Sequence, residues 1–207
     1  MSSMPETFRR HTFVWLSEEA SERIVVESGD PALLRAWIAK MRPLIVRRPC
    51  LSPDGSEVLL GLALPGKRRL ACRAPRAAVL RTALPPLLGD CYLHFETLEV
   101  LGAIAPALRV FGSHAWQHLT GLPYVTESSD IDLLALIDSP EEWERFCTAM
   151  SALPLPTTPR LDLEVVLHGD ASFSWREFLA SETQILLKSS SAVWLESKSR
   201  VPALLHD

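Results

Sequence analysis

Arg109–Asp138 reads RVFGSHAWQHLTGLPYVTESSDIDLLALID. An apolar run ends in Gly112-Ser113, a short amphipathic segment follows, and a polar loop leads to Asp130 and Asp132 at the head of a second apolar run. The pattern predicts strand, turn, helix, loop and strand in that order. LRVFG is the first strand, and SHAWQHLTG is a helix with Ser113 as N-cap and Gly121 at its C-cap. DIDLLALI is the second strand, apolar on both faces and therefore expected to be covered on both. Side chains alternate along a strand, so Asp130 and Asp132 point the same way. Two carboxylates that close disfavour each other's ionised form unless a cation sits between them. Oxygen-only donors suit Mg²⁺, with Mn²⁺ as the alternative. Upstream, the glycine lets a ligand approach the backbone, and the free N–H groups and the Ser113 hydroxyl suit phosphate oxygens. A serine before a helix is commonly only a cap, and an acid at a strand start is commonly a solvated loop end. The order strand–GS–helix–loop–SDxDL–strand is more specific than either part and describes a site for a metal-bound polyphosphate.

A pair of metal ions needs a third carboxylate. RLDLEVVL offers Asp162 and Glu164, alternating with Leu161, Leu163 and Val165. They share one face of a strand expected beside DIDLLALI. Asp162 lies nearer the strand start, as Asp130 does, and is the choice for third ligand. The plainer alternative is an edge strand with a polar face. Lys188 and Arg109 are candidate contacts for phosphate oxygens. Trp116 and Tyr124 have the size to stack on a base or ribose, although Trp116 with Leu119 at helical spacing reads as core. His114 and His118 share a helical face, without a third ligand nearby in sequence.

Composition bounds these readings. The chain has 207 residues, 47% of them hydrophobic, enough for one core or for two small lobes. It contains no run of eighteen apolar residues, so no membrane span is expected. MSSMPETFRRHTFVWLSEEA lacks an apolar region followed by a small-residue cleavage site, so the expected location is the cytoplasm. Cys50, Cys72, Cys91 and Cys147 are scattered and read as reduced thiols. The net charge of −4 argues against a nucleic-acid partner. The segment Arg35–Arg81 is nonetheless +9, which leaves −13 elsewhere. Such asymmetry hints at an acidic partner, with Arg47-Arg48 and Lys67-Arg68-Arg69 as its densest clusters. A solvated basic surface is the plainer explanation.

Along the rest of the chain, HTFVWL, RIVVES, PLIVRR, EVLLGLAL and RLACRA read as strands. DPALLRAWIAKMR is a helix capped by Asp30, with Pro31 in its first turn. PRAAVLRTALPPLLG reads as a helix interrupted by Pro85, and CYLHFETLEVLGAIAP as another. SPEEWERFCTAM is a helix capped by Ser139, ASFSWREFLA a further helix, and TQILLKSS with SAVWLE a terminal hairpin. The expected fold class is mixed α/β (α+β). A smaller mixed N-terminal domain, residues 1–88, precedes a second domain, residues 89–207.

Gly-Ser, DxD and a later strand carboxylate together resemble the polymerase β-like nucleotidyltransferase superfamily. The fuller string, with Phe111, Gly112, Ser113, Trp116, Gln117, Leu119, Thr120, Gly121, Leu122, Tyr124, Ser129, Asp130, Asp132, Leu133 and Leu134, resembles the malonate decarboxylase holo-acyl-carrier-protein synthase (phosphoribosyl-dephospho-CoA transferase) family. RLDLE, SWREF and LLKSS extend the likeness to Arg160–Glu164, Ser174–Phe178 and Leu186–Ser190. Two departures are Phe111 in place of tyrosine and Leu163 in place of glycine. The resemblance implies a nucleotidyltransferase-like catalytic domain and transfer of a prosthetic group. The donor is 2′-(5″-triphosphoribosyl)-3′-dephospho-CoA, the acceptor a serine of the acyl-carrier protein subunit of malonate decarboxylase, and pyrophosphate leaves. It also implies Mg²⁺ on Asp130, Asp132 and Asp162 and triphosphate on Gly112-Ser113; the +9 of Arg35–Arg81 makes the N-terminal domain the expected docking surface for an acidic carrier. The rival readings are another metal-dependent nucleotidyltransferase and a non-catalytic nucleotide-binding module.

Overall fold

The structure is a computed structural model and describes residues 8–19, 21–66, 68–91, 101, 105, 107–151, 160–168, 171–189 and 192–205. The chain divides into two compact units, Met1–Pro85 with Leu119–Tyr124, and Pro86–His118 with Val125–Asp207. Both are mixed α/β, each built on a six-stranded sheet.

The first sheet is antiparallel throughout. It comprises β1 (Phe13–Leu16), β2 (Val25–Ser28), β3 (Leu44–Leu51), β4 (Glu57–Leu64), β5 (Arg68–Pro75) and β6 (Val79–Ala83), in the order β2-β5-β4-β3-β1-β6. Alternation decides its faces: Val58, Leu60 and Leu62 of β4 and Leu70, Cys72 and Ala74 of β5 are buried. Helix α1 (Pro31–Ala39) starts where Asp30 accepts a hydrogen bond from the Ala32 N–H at 2.8 Å, and it buries Leu34, Trp37 and Ile38. The helix expected over PRAAVLRTALPPLLG is not formed. A 3₁₀ turn at Arg76–Ala78 leads into β6, which pairs with β1 from Val79↔Leu16 to Ala83↔Phe13. Pairing satisfies the backbone groups of β1 on that edge, and this outweighs the helix propensity of alanine and leucine.

The second sheet comprises β7 (Arg109–Val110), β8 (Ile131–Ile137), β9 (Leu161–Leu167), β10 (Ser172–Ser174), β11 (Gln184–Lys188) and β12 (Val193–Ser197), in the order β12-β11-β10-β9-β8-β7. The α-helices of this unit whose bounds the described residues give are α2 (Gly112–Thr120), α3 (Pro140–Ser151) and α4 (Trp175–Ala180). Strands β8 and β9 run parallel and the other pairs antiparallel. Ser139 caps α3 by accepting from the Glu142 N–H at 3.2 Å. On one face of the sheet, Trp143 and Phe146 of α3, Phe173 of β10 and Trp175 and Phe178 of α4 form one aromatic cluster, with centroids 4.9 Å apart for Phe146–Trp175. Fully burying such a ring stabilises by about 1.5–3 kcal/mol. The other face carries the carboxylates of β8 and β9.

ASFSWREFLA is not one helix. Ser172–Ser174 join the sheet between β9 and β11, and the helix begins at Trp175. The helix expected over CYLHFETLEVLGAIAP lies almost wholly outside the described residues. All four cysteines are free thiols. No helix among the described residues is long and apolar enough to cross a membrane.

Candidate active site

Residue 112 is the hinge of the site. Strand β7 ends at Val110, and the Phe111 N–H donates to the Asp132 carbonyl at 2.9 Å, which ties the start of α2 to the start of β8. Gly112 then turns with φ +62°, a left-handed conformation that L-residues resist. A Cβ there would also overlap Asp132 Oδ2 and stand 2.8 Å from its Cγ. Glycine is thus demanded twice, by the turn and by the carboxylate it faces. Ser113 follows in the first turn of α2, half-buried. At the far end Gly121 reverses the chain with φ +67°.

The parallel pairing of β8 and β9 sets Asp132 directly beside Asp162, and Leu134 beside Glu164. In this register equivalent side chains share a face, so Asp132, Asp162 and Glu164 all project from the same side of the sheet. Burial, then Asp162, Asp130 and Glu164 in that order, push the Asp132 carboxyl up to about 7, with Arg160 partly opposing. Asp130 is exposed, at the end of a turn in which the Thr126 N–H donates to Ser129 Oγ at 2.9 Å. The Arg160 Nε donates to Asp162 Oδ1 at 3.0 Å.

The other candidates are placed less tightly. Arg109 pairs with Leu134 across β7 and β8, so it lies on the face of Asp132, two residues further along. Burial lowers its pKa, and the charge of Asp90 partly offsets this. Lys188 is not brought to the carboxylates. It lies opposite Ser172, which lies opposite Val166, two strands across and four residues beyond Asp162. The antiparallel turn-about of β10 and β11 carries the end of β11 to the other end of the sheet. Trp116 is buried. The Tyr124 hydroxyl donates to the Ala63 carbonyl at 2.8 Å, which ties its loop to β4. Burial lowers the pKa of His114.

Beyond a helix cap at Ser174, three side chains take up roles that motif reading did not assign. Ser174 and Glu177 have capping-box spacing, and Ser174 Oγ accepts the Glu177 N–H at 3.4 Å. The Glu177 carboxylate turns instead to β11, where Oε1 accepts the Leu186 N–H at 3.0 Å after β10 has left the sheet. Arg176 donates to the Leu161 carbonyl at 3.1 Å, at the start of β9. Arg160 is the third, and its alternation with Asp162 was the available signal.

The donor chemistry of the site, carboxylate oxygens with a deficit of countercharge, fits a hard divalent cation. Among the described residues, no group of three or more His, Cys, Asp and Glu is gathered closely enough to hold a metal ion. Asp162 is instead engaged by Arg160.

Comparison with known proteins decides the family. Residues 9–85 match the family described as phosphoribosyl-dephospho-CoA transferase MdcG N-terminal domain, and residues 93–199 match its C-terminal domain. The chain belongs to the phosphoribosyl-dephospho-CoA transferase family. It is a transferase. A phosphoribosyl-dephospho-CoA transferase of Xanthomonas euvesicatoria pv. vesicatoria (strain 85-10) is 38% identical over 193 residues, spanning 87% of this chain and 90% of its own. The enzyme of the same name from Bradyrhizobium diazoefficiens is 35% identical over 202 residues, 90% of this chain and 88% of its own. That of Klebsiella pneumoniae subsp. pneumoniae is 28% identical over 203 residues, 90% and 93%. No solved structure matches.

Proposed function

We propose that this phosphoribosyl-dephospho-CoA transferase moves its group from 2′-(5″-triphosphoribosyl)-3′-dephospho-CoA to a serine of the apo acyl-carrier protein subunit of malonate decarboxylase, in the cytoplasm. Residues 89–207 act as a polymerase β-like nucleotidyltransferase domain. The observation that carries this reading is the Gly112–Asp132–Asp162 arrangement. A helix start without a side chain faces one carboxylate, and a second lies beside it in register. The first N–H groups of α2 and the Ser113 hydroxyl receive triphosphate oxygens, and Gly112 leaves room for the Asp132 carboxylate beside them. Asp130, Asp132 and Asp162 are the residues to hold Mg²⁺ or Mn²⁺, which when bound neutralises phosphate charge and eases ionisation of the attacking hydroxyl. The serine Oγ bonds to the α-phosphorus, the bond to the β-phosphate oxygen breaks, and pyrophosphate departs. The fixed site contributes positioning and charge placement rather than covalent chemistry.

The N-terminal domain, residues 1–88, is the proposed docking surface for an acidic carrier. Arg68 and Arg69 are exposed at the start of β5, without an ion pair among the described residues. Arg47 and Arg73 are already engaged by Glu27 and Glu57.

Mass spectrometry of the apo carrier after incubation with enzyme, donor and Mg²⁺ tests the reaction. The expected result is a mass gain equal to the prosthetic group with stoichiometric pyrophosphate. Labelling from ATP in place of the donor favours a different nucleotidyltransferase. No modification with either, in Mg²⁺ or Mn²⁺, overturns the proposal in favour of a binding module.

A further inference from the structure

Arg160 precedes β9 by one residue, and its carbonyl accepts the Ile131 N–H at 2.9 Å. Its backbone is therefore fixed at the first rung of the parallel pair. Its side chain is 56% exposed, and among the described residues its one side-chain bond is to Asp162. Its charge also acts on Asp132, against Asp162, Asp130 and Glu164. A divalent cation on Asp162 competes with this guanidinium for the same carboxylate oxygens. A guanidinium displaced there stays rooted at the strand start, beside the polyphosphate site proposed above. Its planar fork matches a phosphate better than a solvated carboxylate that a metal has claimed.

We infer that Arg160 is an exchangeable countercharge: it holds Asp162 in the metal-free protein and passes to the phosphate oxygens of the donor when a divalent cation takes Asp162. The inference rests on the proposed transfer reaction and adds a polyphosphate-binding residue to it. A fixed clamp that merely secures the strand start is the competing explanation. The two differ in sign. A clamp, once removed, weakens everything bound nearby, whereas an exchanging cation competes with the metal and cooperates with the phosphate.

The test uses full-length protein with Arg160→Gln and, as second variant, Arg160→Lys. Mn²⁺ titration followed by electron paramagnetic resonance, without donor or carrier, reads the metal arm. Calorimetry of pyrophosphate binding at saturating Mn²⁺ reads the phosphate arm. For Arg160→Gln, Mn²⁺ affinity is expected to rise about two- to fivefold, the scale of an exposed ion pair removed. Pyrophosphate affinity is expected to fall about tenfold or more, with the donor KM rising in step. Arg160→Lys keeps the charge without the fork and should fall between. Weaker or unchanged Mn²⁺ binding in folded Arg160→Gln, or unchanged pyrophosphate affinity, overturns the inference. If thermal unfolding shows that Arg160→Gln does not fold, Arg160→Lys decides: reduced pyrophosphate affinity supports exchange, and wild-type affinity overturns it. Neither binding arm contains the donor or the carrier. Failure of wild-type protein to modify the carrier therefore counts against the transfer reaction alone.

Discussion

The two sheets treat charge in opposite ways. In the first, charges meet their opposites: Arg73 with Glu57 at 3.2 Å across the antiparallel pair of β5 and β4, and Arg47 of β3 with Glu27 of β2, while Arg81 lies 3.6 Å from the Trp15 ring centroid. In the second, parallel strands set Asp132 against Asp162, with Glu164 on the same face. Partly exposed ion pairs contribute only about 0–1 kcal/mol each, so the first arrangement is locally consistent but modest. The second costs stability in the metal-free protein, because burial and like charges disfavour ionised Asp132. A cost of this kind, beside a glycine at positive φ, is what the proposed binding role of these residues calls for.

The largest expected effect comes from filling the space at Gly112. Gly112→Ala forces a Cβ onto Asp132 at a left-handed φ. It should lower stability by about 1–3 kcal/mol and transfer by about 100-fold or more, read by chemical denaturation and by carrier modification. Asp132→Asn should abolish transfer to a similar degree while leaving the fold intact; wild-type turnover in that variant removes Asp132 from the site.

The comparison sharpens at β9. Asp162→Asn should lose at least about tenfold more transfer activity than Glu164→Gln, because Asp162 is level with Asp132 and Glu164 is two residues further on. The reverse ranking assigns the third ligand to Glu164.

A third expected effect is on stability and depends on pH. The Asp132 carboxyl is raised from the usual 3.8 to about 7. Folded protein therefore holds that proton more tightly than unfolded chain. Its contribution to stability is full below the unfolded value and is lost as pH rises through about 7. Metal-free Asp132→Asn should consequently melt above wild type at about pH 8, with the difference shrinking toward about pH 5. A constant offset across that range shows that charge is not the cause.

The first sheet should give a smaller, salt-sensitive response. Reversal of Arg68 and Arg69 to glutamate is expected to raise the carrier KM severalfold at low salt, with donor KM and melting temperature nearly unchanged. Indifference of the carrier KM to both salt and reversal leaves the patch as solvated surface. Smallest of all, Lys188→Gln should change donor KM by less than about twofold, since the sheet register carries Lys188 away from Asp162.

Much of this molecule is written in local pattern. Alternation in EVLLGLAL and RLDLEVVL names their faces, Asp30 and Ser139 mark helix starts, and Gln184–Lys188 pairs antiparallel with Val193–Ser197 as a terminal hairpin would. Gly112-Ser113, Asp132 and Asp162 stand out as candidates because the proposed chemistry depends on residue type and spacing along a short stretch. Pairing partners are another matter. Val79–Ala83 becomes a strand because β1 offers an edge, and Ser172–Ser174 because a place is open between β9 and β11. The same long-range register separates Lys188 from the carboxylates, turns Glu177 to the Leu186 N–H, and leaves Arg160 beside both aspartates. A residue's periodicity fixes which way it points, through the geometry of its own backbone. What it points at is fixed by hydrogen bonds to segments distant in sequence, and only the assembled sheet sets those.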